Sequence, residues 1–170
     1  MTFNFPKVLR VPLLALLTTT GLLMTSCKKE EQVDNKDYTA IDEEIIKKYL
    51  ADSKITTGQR QPSGLYFVPV TTAPSGTPAV AGKTVSVLYT GYLMNGSVFD
   101  ASSRRGNAPF TFVLGRREVI DGWDQGIALM RKGEKALLLI PSALGYGSNS
   151  AGSIPPNSVT RFEVELVDVK

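Results

Sequence analysis

A chain of 170 residues with 42% hydrophobic and 21% charged residues is composed like a globular protein, and it is long enough to bury one real core. It contains no histidine, which removes His-dependent triads, His general bases and the commonest metal ligand together. The formal charge of +3 falls to +1 once Lys7 and Arg10 are set aside, so there is no clustered basic surface of the kind nucleic-acid phosphates require.

Lys7 and Arg10 precede an apolar run from Val11 to Met24, which is too short for a comfortable membrane span and has the layout of an export signal. Leu23-Met24-Thr25-Ser26-Cys27 resembles a bacterial lipobox, loosely matched at Met24. Residues 1–26 therefore read as a lipoprotein signal peptide and Cys27 as the lipidation site; the alternative is an ordinary signal peptide that carries a cysteine. Cys27 is the only cysteine and has no intramolecular disulfide partner. Acyl chains there would hold an exported domain at a bacterial membrane, on the periplasmic face or the outer-membrane surface. Residues 27–37 are polar and read as a flexible tether, and the acidic Glu30-Glu31 resembles surface-targeting signals of some Gram-negative lipoproteins. About 144 residues remain after cleavage.

Residues 38–62 read as an N-terminal helix and linker. From Thr39 to Asp52, Ile41, Ile45, Ile46, Tyr49 and Leu50 share one side at helical spacing, with acidic residues early and lysines late. Such a helix docks on its own domain or offers a surface to a partner. Thr56 to Pro62 reads as a polar linker.

Residues 63–170 read as the main domain. Gly64 to Val68 is a strand, followed by a Pro/Gly/Thr/Ser-rich turn. Val85, Val87 and Tyr89 alternate with Ser86, Leu88 and Thr90, the period of a strand with one buried face. Asn95-Gly96 predicts a hairpin back through Val98 and Phe99. Phe110, Phe112 and Leu114 alternate again, Lys135 to Ile140 is a strand, and Phe162, Val164 and Leu166 belong to a last one. Between them lies a short helix with Asp121 as its N-cap, an apolar face of Trp123, Ile127 and Met130, and Gly133 at its stop. Gly126 inside that helix points to a close backbone approach. Antiparallel strands around one short helix define an α+β fold.

Tyr89, Phe99, Phe110, Val119, Ile120, Trp123, Tyr146, Ile154 and Phe162 fall at strand ends, loop starts and a helix start. Core filling is one reading of them; an aromatic ligand pocket is the other. The runs Val87-Leu88-Tyr89-Thr90-Gly91, Gly96 to Ser102, Pro109-Phe110-Thr111-Phe112, Gly115 to Trp123, Gly145-Tyr146-Gly147, Ile154-Pro155-Pro156 and Phe162 to Leu166 keep one order over about 90 residues. In these runs the chain resembles the FK506-binding-protein type of peptidyl-prolyl cis-trans isomerase.

The resemblance implies a five- to six-stranded antiparallel sheet wrapped around the short helix, with the amphipathic helix N-terminal to it. It also implies catalytic roles for Tyr89, Phe99, Asp100, Ile120, Trp123, Tyr146 and Phe162, and substrate contacts for Phe110, Glu118, Val119 and Ile154. The Ile120 backbone N–H and the Tyr146 hydroxyl match the family's donors to ligand carbonyls. The implied partners are proline-containing unfolded or partly folded proteins and FK506-like macrolides, with no cofactor and no metal. Two loops depart from the pattern. Asp100 to Phe110 is one residue longer, leaving the family's arginine position to Arg104 or Arg105; Gly147 to Pro155 is shorter, with Ser153 where a second apolar residue is frequent. Both leave ligand preference open.

The chemistry needs no nucleophile, base or metal. Rotation about an X–Pro bond faces a barrier of roughly 18–20 kcal/mol because resonance makes the amide planar and polar. An apolar pocket favours the less charge-separated twisted amide, and hydrogen bonds set for the twisted form add to the difference. The alternative is a proline-segment binding module or holdase with little turnover, for which the extra helix is the hint.

Overall fold

The computed structural model describes residues 36–170, which belong to one compact unit, Asn35–Lys170. The stretch read as an export signal, Cys27 and most of the stretch read as a tether lie outside the described residues. Among those described, no helix is long and apolar enough to cross a membrane.

The chain opens with α1 (Tyr38–Asp52), capped by Asp37, whose carboxylate accepts from the N–H groups of Thr39 and Ala40. Seven strands follow: β1 (Gln59–Arg60), β2 (Tyr66–Thr71), β3 (Thr84–Leu93), β4 (Val98–Ala101), β5 (Phe110–Val113), β6 (Lys135–Ile140) and β7 (Thr160–Val169). A short helix, α2 (Asp121–Ile127), lies between β5 and β6. All strand pairs are antiparallel, in the order β1-β2-β6-β7-β3-β4, with β5 also on β3. The expected five or six strands become seven because β1, inside the stretch read as linker, adds a two-residue edge. Two residues carry no detectable period. What places them is Arg60, whose guanidinium meets the Glu43 carboxylate of α1 at 3.0 Å.

Sequence alternation explains which faces are covered. In β3, Val85, Val87 and Tyr89 turn inward toward α2. β6 is apolar without interruption because both its faces are buried: Ala136, Leu138 and Ile140 face α2, while Leu137 and Leu139 join Tyr66, Val68 and Ile46 under α1. Ile46 is 0% exposed, and burying such a side chain stabilises by about 1.5–3 kcal/mol. Helix α1 thus docks on its own sheet, although Ile41 and Ile45 at its outer edge stay more than a third exposed.

The turn at Asn95-Gly96 closes the β3–β4 hairpin, with Gly96 at φ +89 and its N–H donating to Leu93 O at 2.9 Å. The short helix departs from expectation at both ends. Its N-cap is Ile120, in extended backbone and without a side-chain cap, so Asp121 is the first helical residue. There its charge lies at the positive end of the helix dipole. The helix ends at Ile127, where Leu129 and Met130 donate three residues back to Gly126 and Ile127 and tighten the chain into a turn. Met130 is buried beyond the helix, and Gly133, at φ +91, serves the turn into β6. The close approach at Gly126 is present: a methyl there would meet Leu138 Cδ1 at 2.7 Å.

Candidate active site

Packing α2 against the sheet leaves Trp123 with its indole at the bottom of an aromatic bowl. Trp123 is 5% exposed and meets Tyr89 edge-on at 4.9 Å between ring centroids, Phe162 at 5.3 Å, Phe112 at 6.0 Å and Phe110 at 6.1 Å. Phe99 stands edge-on to Phe162 at 5.4 Å and to Tyr146 at 6.1 Å, so the ring chain continues to the rim. Above it opens a cleft of about 420 Å³ lined by Tyr89, Asp100, Phe110, Arg117, Glu118, Val119, Ile120, Trp123, Tyr146 and Phe162.

The structure therefore gathers at one cleft nine of the eleven residues singled out for catalysis and substrate contact. Phe99 packs behind them on Phe162 and Tyr146. Ile154 does not line the cleft. It is buried in its own loop, where Ala151 and Ile154 exchange N–H···O bonds of 3.0 and 2.9 Å.

The polar groups beside Tyr89 are linked to one another. The Tyr89 hydroxyl donates to Asp100 Oδ2 and accepts from Arg105 Nη2, and Arg105 closes the triangle with an ion pair to Asp100 at 3.6 Å. Arg105 therefore takes the place beside the carboxylate, while Arg104 turns to the carbonyls of Phe99 (2.6 Å) and Val98 (3.0 Å). Burial and the bond to Asp100 raise the Tyr89 hydroxyl above its ordinary titration range. Burial, and then the Asp100 charge, do the same for Tyr146. Both phenols are thus held neutral, and Tyr146 is held as a donor.

The loop between β5 and α2 is fastened at two points. Glu118 Oε2 accepts from Val113 N–H at 3.1 Å, and the Asp124 carboxylate accepts from Gly115 N–H at 2.8 Å and Arg117 N–H at 3.0 Å. These bonds hold Arg117 at φ +57 on the cleft wall. Arg117 belongs to the run from Gly115 to Trp123, and its position next to Glu118 is the sequence signal for its place there. The loop leads to Ile120, whose carbonyl accepts from Trp123 and Asp124 N–H, while among the described residues nothing accepts from its own N–H. The Tyr146 hydroxyl likewise has no hydrogen-bond partner among the described residues, and both Ile120 and Tyr146 line the cleft, whose floor residue Trp123 also keeps its indole N–H unpaired among the described residues. Among the described residues no group of three or more His, Cys, Asp or Glu side chains is placed to hold a metal ion.

An antiparallel sheet wrapped on a short helix, with an aromatic cleft at that helix's start, is the architecture of the FK506-binding proteins. The sequence profile of the FKBP-type peptidyl-prolyl cis-trans isomerases matches residues 76–167, more than half of the chain, and the chain belongs to that family. It is 57% identical over 93 residues to FK506-binding protein 2 of Candida glabrata, covering 54% of this chain and 68% of that one. It is 50% identical over 95 residues to the FK506-binding protein of Neisseria meningitidis serogroup B, covering 55% of this chain and 86% of that one. Against the longer FKBP53 of Arabidopsis thaliana it is 46% identical over 129 residues, 74% of this chain, and spans only 27% of that relative's length. The crystal structure of FkpA from Escherichia coli superposes with a TM-score of 0.67 at 36% identity, covering 78% of this chain and 61% of that one.

Proposed function

We propose that this chain is a working peptidyl-prolyl cis-trans isomerase, accelerating rotation about X–Pro bonds in proline-containing segments of unfolded or partly folded proteins. The observation that carries the reading is the cleft itself, an aromatic bowl floored by Trp123, with the Ile120 N–H and the Tyr146 hydroxyl in its lining residues left unpaired among the described residues.

In this account the proline ring seats on Trp123 between Tyr89, Phe110 and Phe162, and its surroundings exclude water. The planar X–Pro amide is the more polar form, so transfer into the bowl disfavours it relative to the twisted amide. The Ile120 N–H and the Tyr146 hydroxyl donate to substrate carbonyls in a geometry that fits the twisted chain better than the planar one. Asp100 and Arg105 hold the Tyr89 ring that forms one wall, and Val119 and Glu118 shape the approach. An FK506-like macrolide would occupy the same bowl.

We further propose that the domain is exported and held at a bacterial membrane through lipid on Cys27. The support is the order of the basic residues, apolar run and lipobox-like Ser26-Cys27 in the sequence. Mass analysis of membrane-extracted protein should find cleavage before Cys27 with an acylated N-terminus; an intact N-terminus or cleavage elsewhere refutes it.

For the activity, a short X–Pro peptide should relax faster with the protein than without it, and Trp123→Ala or Tyr146→Phe should weaken the effect. Loss of one donor positioned on developing charge is worth roughly a hundred- to a thousandfold, which is the upper bound for Tyr146→Phe. Variants that match the native rate would remove those two residues from the mechanism.

A further inference from the structure

Asp42 ties helix α1 to the turn that leads to Tyr146. Asp42, on the side of α1 that carries Ile46, is 1% exposed, and its Oδ2 accepts from both the Ser142 N–H (2.8 Å) and the Ser142 hydroxyl (2.6 Å), a contact spanning 100 residues of sequence. Ser142 opens a one-turn 3-10 helix, Ser142–Leu144, whose end is the loop bearing Tyr146. The Ser142 carbonyl accepts from Gly145 N–H at 3.0 Å and from Gly147 N–H at 2.9 Å, the two residues flanking Tyr146. Asp42 therefore fixes the residue on which the Tyr146 turn is built.

Stability alone does not explain a carboxylate at this place. Its Oδ1 is buried without a hydrogen-bond partner among the described residues, and leaving such an atom unpaired is costly. An aliphatic side chain would hold α1 to the sheet as Ile46 does. What the carboxylate supplies instead is direction, two bonds converging on one serine.

We propose that Asp42 is a positioning residue for the pocket rim: through Ser142 it sets the place of the Tyr146 hydroxyl over the cleft, coupling α1 to the active site. This rests on the isomerase reading of that cleft. Without Asp42 the turn at Ser142 loosens, Gly145 and Gly147 lose their shared acceptor's fixed position, and Tyr146 no longer presents its hydroxyl at one point.

The test is a double-mutant cycle on the purified protein, with X–Pro peptide isomerisation as the readout. Asp42→Ala should lower kcat/KM about tenfold, less than the roughly hundredfold that a misplacement of about 1 Å can cost. In a Tyr146→Phe background the same change should cost less than about twofold, because the group it positions is already gone. Asp42→Asn should recover most of the loss, since its amide oxygen accepts the same two bonds. Equal losses in the two backgrounds, or Asp42→Asn as damaging as Asp42→Ala, would overturn the proposal. Should Asp42→Ala fail to fold, Ser142→Ala deletes the hydroxyl donor alone and enters the same cycle. Amide hydrogen exchange at Gly145 and Gly147 reads the claim without turnover: protection should fall at least about tenfold in Asp42→Ala, and unchanged protection would defeat it. A wild-type rate equal to buffer would defeat the isomerase reading instead, and the exchange measurement would still decide the role of Asp42.

Discussion

Gly126→Ala tests how tightly the floor of the cleft is held. In a helix interior the change gains about 1 kcal/mol in propensity, and Gly126 has no positive φ to oppose it. The added methyl would lie 2.7 and 2.8 Å from the two Leu138 methyls, about 1 Å inside ordinary carbon–carbon contact of roughly 3.5–4.0 Å. Leu138 is fully buried, and one turn earlier a methyl on Gly122 would meet Ile140 Cγ2 at 2.5 Å. Neither side chain has room to retreat, so α2 must lift from β6 and take Trp123 with it. Overpacking of this kind costs about 1–3 kcal/mol, which outweighs the propensity gain and leaves a net loss of about 1 kcal/mol, or a Tm lower by roughly 3–6 °C. Thermal unfolding can be followed by the fluorescence of Trp123, the only tryptophan, and macrolide titration of the folded variant reports the displaced floor as weaker binding. A Tm equal to or above that of the native protein would refute the close-contact argument, because propensity would then have won.

Three further outcomes are expected. Gly91→Ala places a methyl 2.7 Å from the Phe99 ring and 2.8 Å from Phe162 Cε1, so Phe99 should swing; binding of a macrolide should weaken by more than tenfold, on the order of 1.4 kcal/mol or more, and native affinity would show the wall to be yielding. The rate of isomerisation should be flat from about pH 6 to about pH 9. Burial and Asp100 keep Tyr89 and Tyr146 protonated above the ordinary tyrosine range, and there is no histidine, so a bell-shaped profile centred near neutrality would contradict the mechanism. Burial alone would raise the Glu43 carboxyl, but hydrogen bonds from Tyr66, Arg60 and Lys47 outweigh it and hold the group below its ordinary 4.5. Its stabilisation is therefore complete above pH 4.5 and lost as pH falls through the lower folded value. Glu43→Gln should flatten that acid limb in urea unfolding at a series of pH values, and an unchanged limb would remove Glu43 from the linkage.

The parts of this molecule that were legible in the sequence are those where one physical pattern acts alone. Alternation in Val85 to Tyr89 and in Phe162 to Leu166 is a half-buried strand because one sheet face meets α2. Asn95-Gly96 is a hairpin because Gly96 takes a positive φ that few other residues adopt. The cleft residues were legible through the order of seven short runs, and what brings them together is the wrapping of the sheet.

What escaped depends on tertiary partners. β1 is a strand only because β2 offers an edge and Glu43 holds Arg60. The start of α2 at Asp121 follows from the extended backbone of Ile120, which sequence spacing cannot distinguish from a cap one residue later. Asp42 left a trace that can be read afterwards: it lies four residues before Ile46 and seven before Tyr49, on the buried side of an amphipathic helix. An acid at such a position requires a donor, but nothing in the sequence says that the donor is Ser142.

The most direct test of the central claim is a protease-free assay of cis-to-trans relaxation in a short X–Pro peptide, with the protein at native sequence, in the presence and absence of an FK506-like macrolide. The account predicts relaxation faster than in buffer, returning to the buffer rate when the macrolide fills the bowl above Trp123. A relaxation rate indistinguishable from buffer in folded, macrolide-binding protein would contradict it, leaving a cleft that binds proline segments without turning them.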